Sequence, residues 1–327
     1  MNYSKIKQLL VGLALSLMVW TGGTPSGRAE DRWEGPGVRH TFDGLEKFRP
    51  VWSADGRRLI YASMEPDGGS IHLCQLQVDH PFDATRRQPK RLFPDRDDPE
   101  FQAVPSPQSQ SPWLAVTRVT RSGTQGDLDL VAFDLTSNPP RSRGIMGNVE
   151  GRLSHQEWPN WSADGSKLVF ASTHEGNQEI HWIAWSDDPD APDSQPHRVT
   201  RHPGIDTQPC WTPDGQRIVF VTDRWGGLEL AITDLEGHRV ERLTRQPGID
   251  DSPDVSPDGR WIAFTTFREG MAEVFVMGID GSNPRNLSRN PEGHDMHPRW
   301  TPDGRGVTFC TQRQGRWELV TLAVPTN

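Results

Sequence analysis

The sequence predicts an all-β fold, a six-bladed propeller of four-stranded blades, and three observations lead to that prediction. One short phrase of proline, Ser or Thr, and Asp-Gly recurs along the chain at intervals of roughly fifty residues, the period of propeller repeats. Apolar residues make up only 33% of the chain, yet it contains 13 Trp, 31 Gly and 28 Pro. This mixture is typical of many short strands joined by tight turns. Each copy of the phrase is followed by a short apolar run.

The repeated phrase has five intact copies and one decayed copy. The intact copies occupy Pro50–Gly56, Pro159–Gly165, Pro209–Gly215, Pro253–Gly259 and Pro298–Gly304, and the decayed copy occupies Ala103–Ser109. Ser/Thr-x-Asp-Gly predicts a hairpin turn, because the Asp side chain bonds back to the backbone and glycine adopts positive φ. Six copies therefore predict six hairpins, each at the start of a blade.

The rest of each unit supplies the other strands. Apolar runs such as Ile218–Val221 predict second strands, runs such as Gly227–Ile232 predict third strands, and short segments such as Arg242–Thr244 predict fourth strands. The last unit ends after its third strand. We expect Val38–Phe42, which precedes the first unit, to supply the missing strand and close the ring, which buries exposed sheet edges.

Residues 1–29 are predicted to be an export signal, and residues 30–327 the propeller. Lys5 and Lys7 give a basic start, Leu9–Trp20 is an apolar run, and small residues lead to Ala29. The apolar run is too short for a permanent membrane span. The sequence therefore predicts an exported protein, in the periplasm or secreted.

Charge and cysteine content limit the partners and the covalent chemistry. The chain has 35 Lys and Arg, 44 Asp and Glu, and a formal net charge of −9. Such an acidic balance argues against nucleic acid or an anionic membrane surface as partner. The three cysteines, Cys74, Cys210 and Cys310, cannot all pair. Free buried thiols are predicted, with a Cys74–Cys310 bridge as the alternative.

The phrase, its period and its count resemble the TolB-type propeller repeat over nearly the whole mature chain. The resemblance implies a periplasmic protein that binds an envelope protein or a lipoprotein. The TolB family carries an α/β domain ahead of its propeller, whereas only Glu30–Gly37 lie between the predicted cleavage site and Val38. We therefore expect a TolB-like propeller without that domain.

Residues that recur in most blades are predicted to serve the scaffold, since each repeat solves the same packing problem. We expect two aromatic positions to pack between blades. They are Trp52, Trp161, Trp211 and Trp300 in the phrase, and Tyr61, Phe170, Phe220, Phe264 and Phe309 in the second strand. Loop arginines, Arg224, Arg268 and Arg313, are predicted to pair with the glutamates that open third strands, Glu179, Glu229, Glu273 and Glu318.

The loop that enters each first strand is expected to lie beside the central channel. Three residues before the proline, or before its equivalent Ala103, stand Lys47, Glu100, Gln156, Asp206, Asp250 and Asp295. The four acids, Glu100, Asp206, Asp250 and Asp295, are the predicted binding site, a negative channel mouth for a basic peptide or a cation. The alternative is that these acids bond to their own loops and shape the turn.

His294 and His297 lie in the same kind of loop and are the candidate metal ligands. A zinc-type site needs a third or fourth ligand, which the sequence does not identify. Oligogalacturonate lyases are propellers that use histidine-bound metal. A metal-assisted lyase or hydrolase acting on an acidic carbohydrate is therefore the alternative function.

Other catalytic motifs are absent from the sequence. It contains no Gly-x-Ser-x-Gly, phosphate-binding glycine loop, His-Glu-x-x-His or paired-cysteine metal motif. No cofactor is predicted, and a non-catalytic protein-binding module of the cell envelope is favoured over an enzyme. A second candidate surface is basic and comprises Arg86, Arg87, Lys90, Arg141 and Arg143.

Overall fold

The computed structural model describes residues 35–66, 70–83, 87–96, 99–108, 111–120, 127–145, 154–188 and 195–325. The predicted export signal, residues 1–29, lies outside these residues. All regular elements in the described residues are β-strands. Within the same residues, no helix has the length and apolar character needed to cross a membrane.

The strands form six antiparallel sheets of four strands, which confirms the predicted six-bladed propeller. In chain order, with semicolons between blades, they are β1 (Val38–Arg39); β2 (Lys47–Trp52), β3 (Arg58–Met64), β4 (Ile71–Gln77), β5 (Lys90–Arg91); β6 (Glu100–Pro105), β7 (Trp113–Thr120), β8 (Asp127–Asp134), β9 (Arg141–Gly144); β10 (Gln156–Trp161), β11 (Lys167–Ser172), β12 (Glu179–Ala184), β13 (His197–Arg198); β14 (Asp206–Trp211), β15 (Arg217–Thr222), β16 (Glu229–Asp234), β17 (Glu241–Arg242); β18 (Asp250–Val255), β19 (Trp261–Glu269), β20 (Met271–Gly278), β21 (Arg285–Asn286); β22 (Asp295–Trp300), β23 (Gly306–Arg313), β24 (Arg316–Ala323).

The ring is closed by the N-terminal strand, as predicted. Strand β1 pairs antiparallel with β24, so the sixth sheet has the order β1-β24-β23-β22. The closure is reinforced by buried polar contacts to Glu318. The Arg39 guanidinium lies 2.8 Å from its Oε1, and the Thr41 hydroxyl donates to its Oε2 at 2.6 Å. Closure therefore rests on a buried ion pair as well as on backbone pairing.

In four of the six blades, the repeated tryptophan joins the blade to the one before it in the ring. All four side chains are buried, and each packs in a hydrophobic cluster that spans two blades. The indole N–H groups donate to the preceding blade: Trp52 to Thr308 Oγ1 at 2.9 Å, Trp161 to Val104 O at 3.1 Å, Trp211 to Asn160 O at 3.2 Å, and Trp300 to Asp254 O at 3.1 Å. The predicted packing role of these residues, and of the buried second-strand aromatics, is confirmed.

The hairpin turns follow the chemistry of the repeated phrase. In blade four the Asp214 carboxylate accepts from the Thr212 hydroxyl at 2.5 Å and from the Gln216 amide at 3.0 Å. These hydrogen bonds lower the pKa of Asp214. Gly215 adopts φ +67°, a conformation that favours glycine. The phrase therefore encodes the turn locally, which explains why it recurs.

The three cysteines are free thiols, as predicted. Cys210 and Cys310 are buried, and Cys74 is half-buried. Burial raises the pKa of the Cys74 thiol to about 11 and that of the Cys310 thiol to about 12. All three thiols are therefore protonated near neutral pH and poor nucleophiles.

Arg39→Ala should destabilise the propeller by about 3 kcal/mol, because removal of one partner leaves the Glu318 carboxylate buried without its guanidinium. The measurement is the free energy of unfolding in urea. Arg239→Ala is the matched control, since Arg239 is 80% exposed in its ion pair with Glu241 and should change stability little. Equal effects of the two substitutions would contradict the closure role of Arg39.

Candidate functional site

The six inner strands, β2, β6, β10, β14, β18 and β22, surround the central channel. Each contacts the inner strands of both neighbouring blades. All six begin on one face of the ring and end on the other, at the repeated hairpin turns. We call the first the mouth face and the second the turn face. Because the blades are antiparallel, the ends of fourth strands also lie on the mouth face.

Every inner strand has a β-bulge, which places one side chain per blade on the channel. The bulge lies at the residue before the repeated proline or Ala103. These residues have φ between 50° and 63°: Arg49, Gln102, Trp158, Gln208, Ser252 and His297. Positive φ is uncommon for residues other than glycine and persists where the surroundings impose it. All six line one central cavity.

Arg49 reaches across the channel from blade one to blade three. Its guanidinium carbon lies 3.2 Å from the ring centroid of Trp158, a close cation–π contact. Burial and the nearby Arg299 charge together lower the pKa of Arg49 to about 9, while Asp251 and Glu157 oppose the shift. The cation therefore lies in the interior of the ring, between acids of blades three and five.

The two acids beside Arg49, Glu157 and Asp251, have raised pKa values. Burial raises the pKa of Glu157 to about 7 and that of Asp251 to about 6, although Arg49 opposes both shifts. Gln178 donates to Glu157 Oε2 at 2.9 Å. Within the described residues, Glu157 Oε1 and the Nε2 of Gln102 lack hydrogen-bond partners. The channel centre is thus polar, with acids that titrate near neutral pH.

Two of the predicted binding acids are already ion-paired. The Asp206 carboxylate is fully buried and accepts from Arg224, with Nη2 to Oδ2 at 2.5 Å. Asp250 accepts from Arg268 at 2.9 and 3.1 Å and from the Thr266 hydroxyl at 2.5 Å. A basic ligand would have to displace these arginines to reach either carboxylate.

Glu100 and Asp295 occupy the same position in their blades and are also buried. Glu100 lies 4.0 Å from the Arg96 guanidinium. Asp295 Oδ1 accepts from the Asn290 amide at 2.9 Å, and burial raises the pKa of its carboxyl to about 6. The structure therefore brings all four predicted acids to the mouth face, where each is held in the wall of its own blade.

The predicted pairing of loop arginines with third-strand glutamates is wrong. Arg224 and Arg268 pair with Asp206 and Asp250, because the loop after each second strand folds back over the start of the inner strand. Three of the four glutamates pair instead with arginines of fourth strands, whereas Glu273 accepts from the Ser288 hydroxyl and the Asn290 backbone amide. These pairs are Glu179 with Arg198, Glu229 with Arg242, and Glu318 with Arg39 of the closing strand. Two ion-pair layers therefore replace the single predicted layer.

The candidate metal ligands, His294 and His297, lie in different surroundings. His294 Nδ1 accepts from the Ala272 amide at 3.1 Å, whereas His297 is buried in the channel wall with its ring 6.4 Å from that of Phe48. Burial lowers the pKa of both imidazoles. No cluster of three or more His, Cys, Asp or Glu side chains suited to a metal occurs in the described residues. The two histidines therefore do not form a recognisable metal centre.

Sequence reasoning missed five of the six channel residues at the bulges and named the sixth, His297, only as a candidate metal ligand. A signal was present, because the position before the proline differs in every blade except for the two glutamines, whereas the proline recurs. Variation at one fixed repeat position indicates a site rather than scaffold. The bulge that directs these side chains into the channel depends on tertiary structure, and the sequence of the phrase does not predict it.

The predicted basic surface is partly engaged in contacts within the chain. Arg87 pairs with Asp79, and the Arg143 guanidinium lies 5.0 Å from the Trp185 ring centroid. Lys90 and Arg141 are exposed, and Arg86 lies outside the described residues. Two of the four described cations therefore already have partners within the chain.

Glu157→Gln should change the pH dependence of stability. Below the ordinary pKa of 4.5, Glu157 is protonated in both folded and unfolded chains. As pH rises from 4.5 to about 7, the unfolded chain releases this proton first, so the wild-type protein loses stability. The variant lacks this loss and should gain about 1–3 kcal/mol relative to wild type between pH 4 and pH 8. Urea unfolding at both pH values measures the difference.

Glu241→Gln is the control, because Glu241 is an exposed acid in an ion pair with the exposed Arg239. It should shift stability equally at both pH values. A pH-independent effect of Glu157→Gln would show that Glu157 ionises normally in the folded protein.

Two family models match parts of the chain. The model described as TolB beta propeller domain matches residues 124–244, and the model described as Tricorn protease N-terminal beta propeller domain matches residues 227–325. Among curated proteins, the Tol-Pal system protein TolB of Bordetella pertussis is 52% identical over 44 residues, which is 14% of this chain. The match spans 10% of the length of that relative.

Solved structures share the fold over most of the chain. A putative TolB from Agrobacterium tumefaciens superposes with a TM-score of 0.61 at 20% identity and covers 86% of this chain and 91% of that one. An oligogalacturonate lyase in complex with manganese has a TM-score of 0.54 at 12% identity, with coverage of 89% and 98%. At such identities the superpositions show the fold alone. Together with the matching repeats, they identify the described ring as a TolB-like β-propeller.

Proposed function

We propose that the chain is an exported, non-catalytic protein-binding module of the periplasmic cell envelope. The main support is the TolB-like propeller, because the curated relative that shares its repeat is named a Tol-Pal system protein. The predicted export signal at residues 1–29 agrees with a periplasmic location. The proposed partner is an envelope protein or lipoprotein.

The proposed binding site is the mouth face around the channel. Its loops are fixed by buried ion pairs, so they present a preformed surface that loses little conformational entropy on binding. Glu100, Asp206, Asp250 and Asp295 begin the inner strands there. Since they are between 0% and 3% exposed, we assign them a positioning role: they hold the loops, and through Arg224 and Arg268 they shape the surface that meets the partner.

Replacement of Asp206, Asp250 and Asp295 together by Asn should reduce capture of an envelope partner about tenfold, or ~1.4 kcal/mol. The amides keep the side-chain shape but release Arg224 and Arg268 from their charged partners. The measurement is affinity capture from an envelope extract with quantitative mass spectrometry, followed by titration of the recovered protein.

The control replaces three exposed acids of the turn face, Asp188→Asn, Glu236→Gln and Glu241→Gln, which changes the net charge equally. Control and wild type should capture the same protein with the same affinity. Melting temperatures separate loss of folding from loss of binding. An empty capture by the wild-type protein would overturn the proposed function, and unchanged affinity in the folded Asn variant would overturn the role of the acids.

A further inference from the structure

Three loops of the mouth face share a sequence pattern that the binding acids alone do not explain. They connect the fourth strands of blades three, four and five to the next inner strand. Each begins with a hydroxyl residue followed at once by arginine and, two places later, by proline. The loops are Thr200–Asp206, Thr244–Asp250 and Ser288–Asp295.

The first residue of each loop is fixed to the third strand behind it. The Thr200 hydroxyl donates to Glu179 Oε2 at 2.6 Å, and the Ser288 hydroxyl donates to Glu273 Oε2 at 2.5 Å. The Thr244 hydroxyl accepts from the Leu230 amide at 3.0 Å. All three hydroxyl residues are buried. The loop start is therefore held firmly in every case.

The last residue of each loop is the buried acid that begins the inner strand. Asp206 and Asp250 are held by arginine, and Asp295 is held by the Asn290 amide. Each loop is thus held at both ends, and its arginine and proline are exposed between them, although Asn290 in the third loop is buried. A side chain on a loop that is held at both ends is already positioned before a partner binds.

The arginine of each loop is exposed. Arg201, Arg245 and Arg289 are all directed outward on consecutive blades. In the described part of the chain, none of the three guanidinium groups forms a hydrogen bond or an ion pair. The other arginines of this face, such as Arg224 and Arg268, are paired internally. The acids that begin the inner strands are therefore buried on this face, whereas these three arginines are exposed.

Exposed acids near these cations are few. Glu292 lies exposed in the third loop, and Glu175, exposed in the neighbouring loop of blade three, is paired with Arg198. Asp223 is half-buried and accepts a hydrogen bond from the Ile205 amide at 2.8 Å. The three arginines consequently form an arc of positive charge on a protein whose formal net charge is −9. Local and overall charge have opposite signs, as expected where a surface selects its partner by charge.

Large apolar side chains accompany the arc. Among the described residues, the exposed large hydrophobic side chains are Ile205, Trp225 and Met271, at 42%, 37% and 43% exposure. All three lie on the mouth face of blades four and five, beside the loops that carry Arg201 and Arg245. Apolar side chains next to arginine are the usual composition of a protein-binding surface.

We propose that this arc, defined as Arg201, Arg245 and Arg289 with Ile205, Trp225 and Met271, binds an acidic segment of a protein partner that also carries apolar side chains. The inference rests on the proposed function and names the chemistry of its partner. Fixed guanidinium groups pair with carboxylates in defined geometry. The apolar side chains bury the hydrophobic residues of the same segment, and the acidic remainder of the propeller repels it from other faces.

The test uses the mature full-length protein and two fluorescently labelled peptides of equal length and equal Leu and Phe content, one carrying Glu and the other Lys at the charged positions. Binding is measured by fluorescence anisotropy. The Glu peptide should bind about tenfold tighter or more, and added salt should weaken it because exposed charges are screened. Replacement of the three arc arginines by Gln should remove most of this preference.

The matched control replaces three exposed arginines of the turn face, Arg57→Gln, Arg260→Gln and Arg305→Gln, which follow the hairpin turns of three blades. It changes net charge equally and should leave the affinity for the Glu peptide unchanged. Glu292→Gln should raise that affinity, because it removes the exposed acid beside the arc. Both variants should keep the wild-type melting temperature.

Equal binding of the two peptides, or no loss in a folded arc variant, would overturn the acidic preference. Those outcomes leave the proposed function standing if an envelope partner is still captured. Conversely, binding of the Glu peptide without any captured envelope protein would overturn the proposed function and retain the chemistry of the arc.

Discussion

The tryptophan that joins four of the six blades to their predecessors is the interaction on which the rest of the structure depends. Its indole is buried between two blades and donates to the preceding blade, to backbone oxygen in three cases and to the Thr308 hydroxyl in the fourth. One side chain therefore supplies apolar burial and also sets the distance between inner strands. Because the blades are fixed to one another, the channel and its mouth have a defined shape.

A rigid ring can retain local strain and buried charge. Six residues with positive φ face the channel, and Arg49 lies within it beside Glu157 and Asp251. Neither feature would persist on a mobile loop, since positive φ and desolvated charge both cost free energy. The surrounding blades impose both features, and they concentrate in the part of the molecule where ligands of propellers have access.

On the mouth face, the exposed charge is positive, whereas the positions of the acids in the sequence predict a negative surface. The four acids are buried in the wall, and two of them, Asp206 and Asp250, are paired with arginines of their own blades, whereas a different set of arginines is left in solvent. A buried acid that is paired with an arginine fixes its loop, and the pair adds no net charge to the surface. The charge that a partner encounters is therefore set by residues in the middle of the loops.

The sequence by itself determined the six blades, the hairpin turns, the packing role of the tryptophans and the closing strand, which is predicted at Val38–Phe42 and spans Val38–Arg39 in the structure. It could do so because each depends on local chemistry that is repeated along the chain, such as the Asp214 turn. Only the tertiary structure decided that Arg224 pairs with Asp206 rather than Glu229, that His294 and His297 have separate surroundings, and which arginines stay in solvent. These features depend on contacts between separate strands and loops, and the identity of a residue does not reveal its neighbour across such a gap.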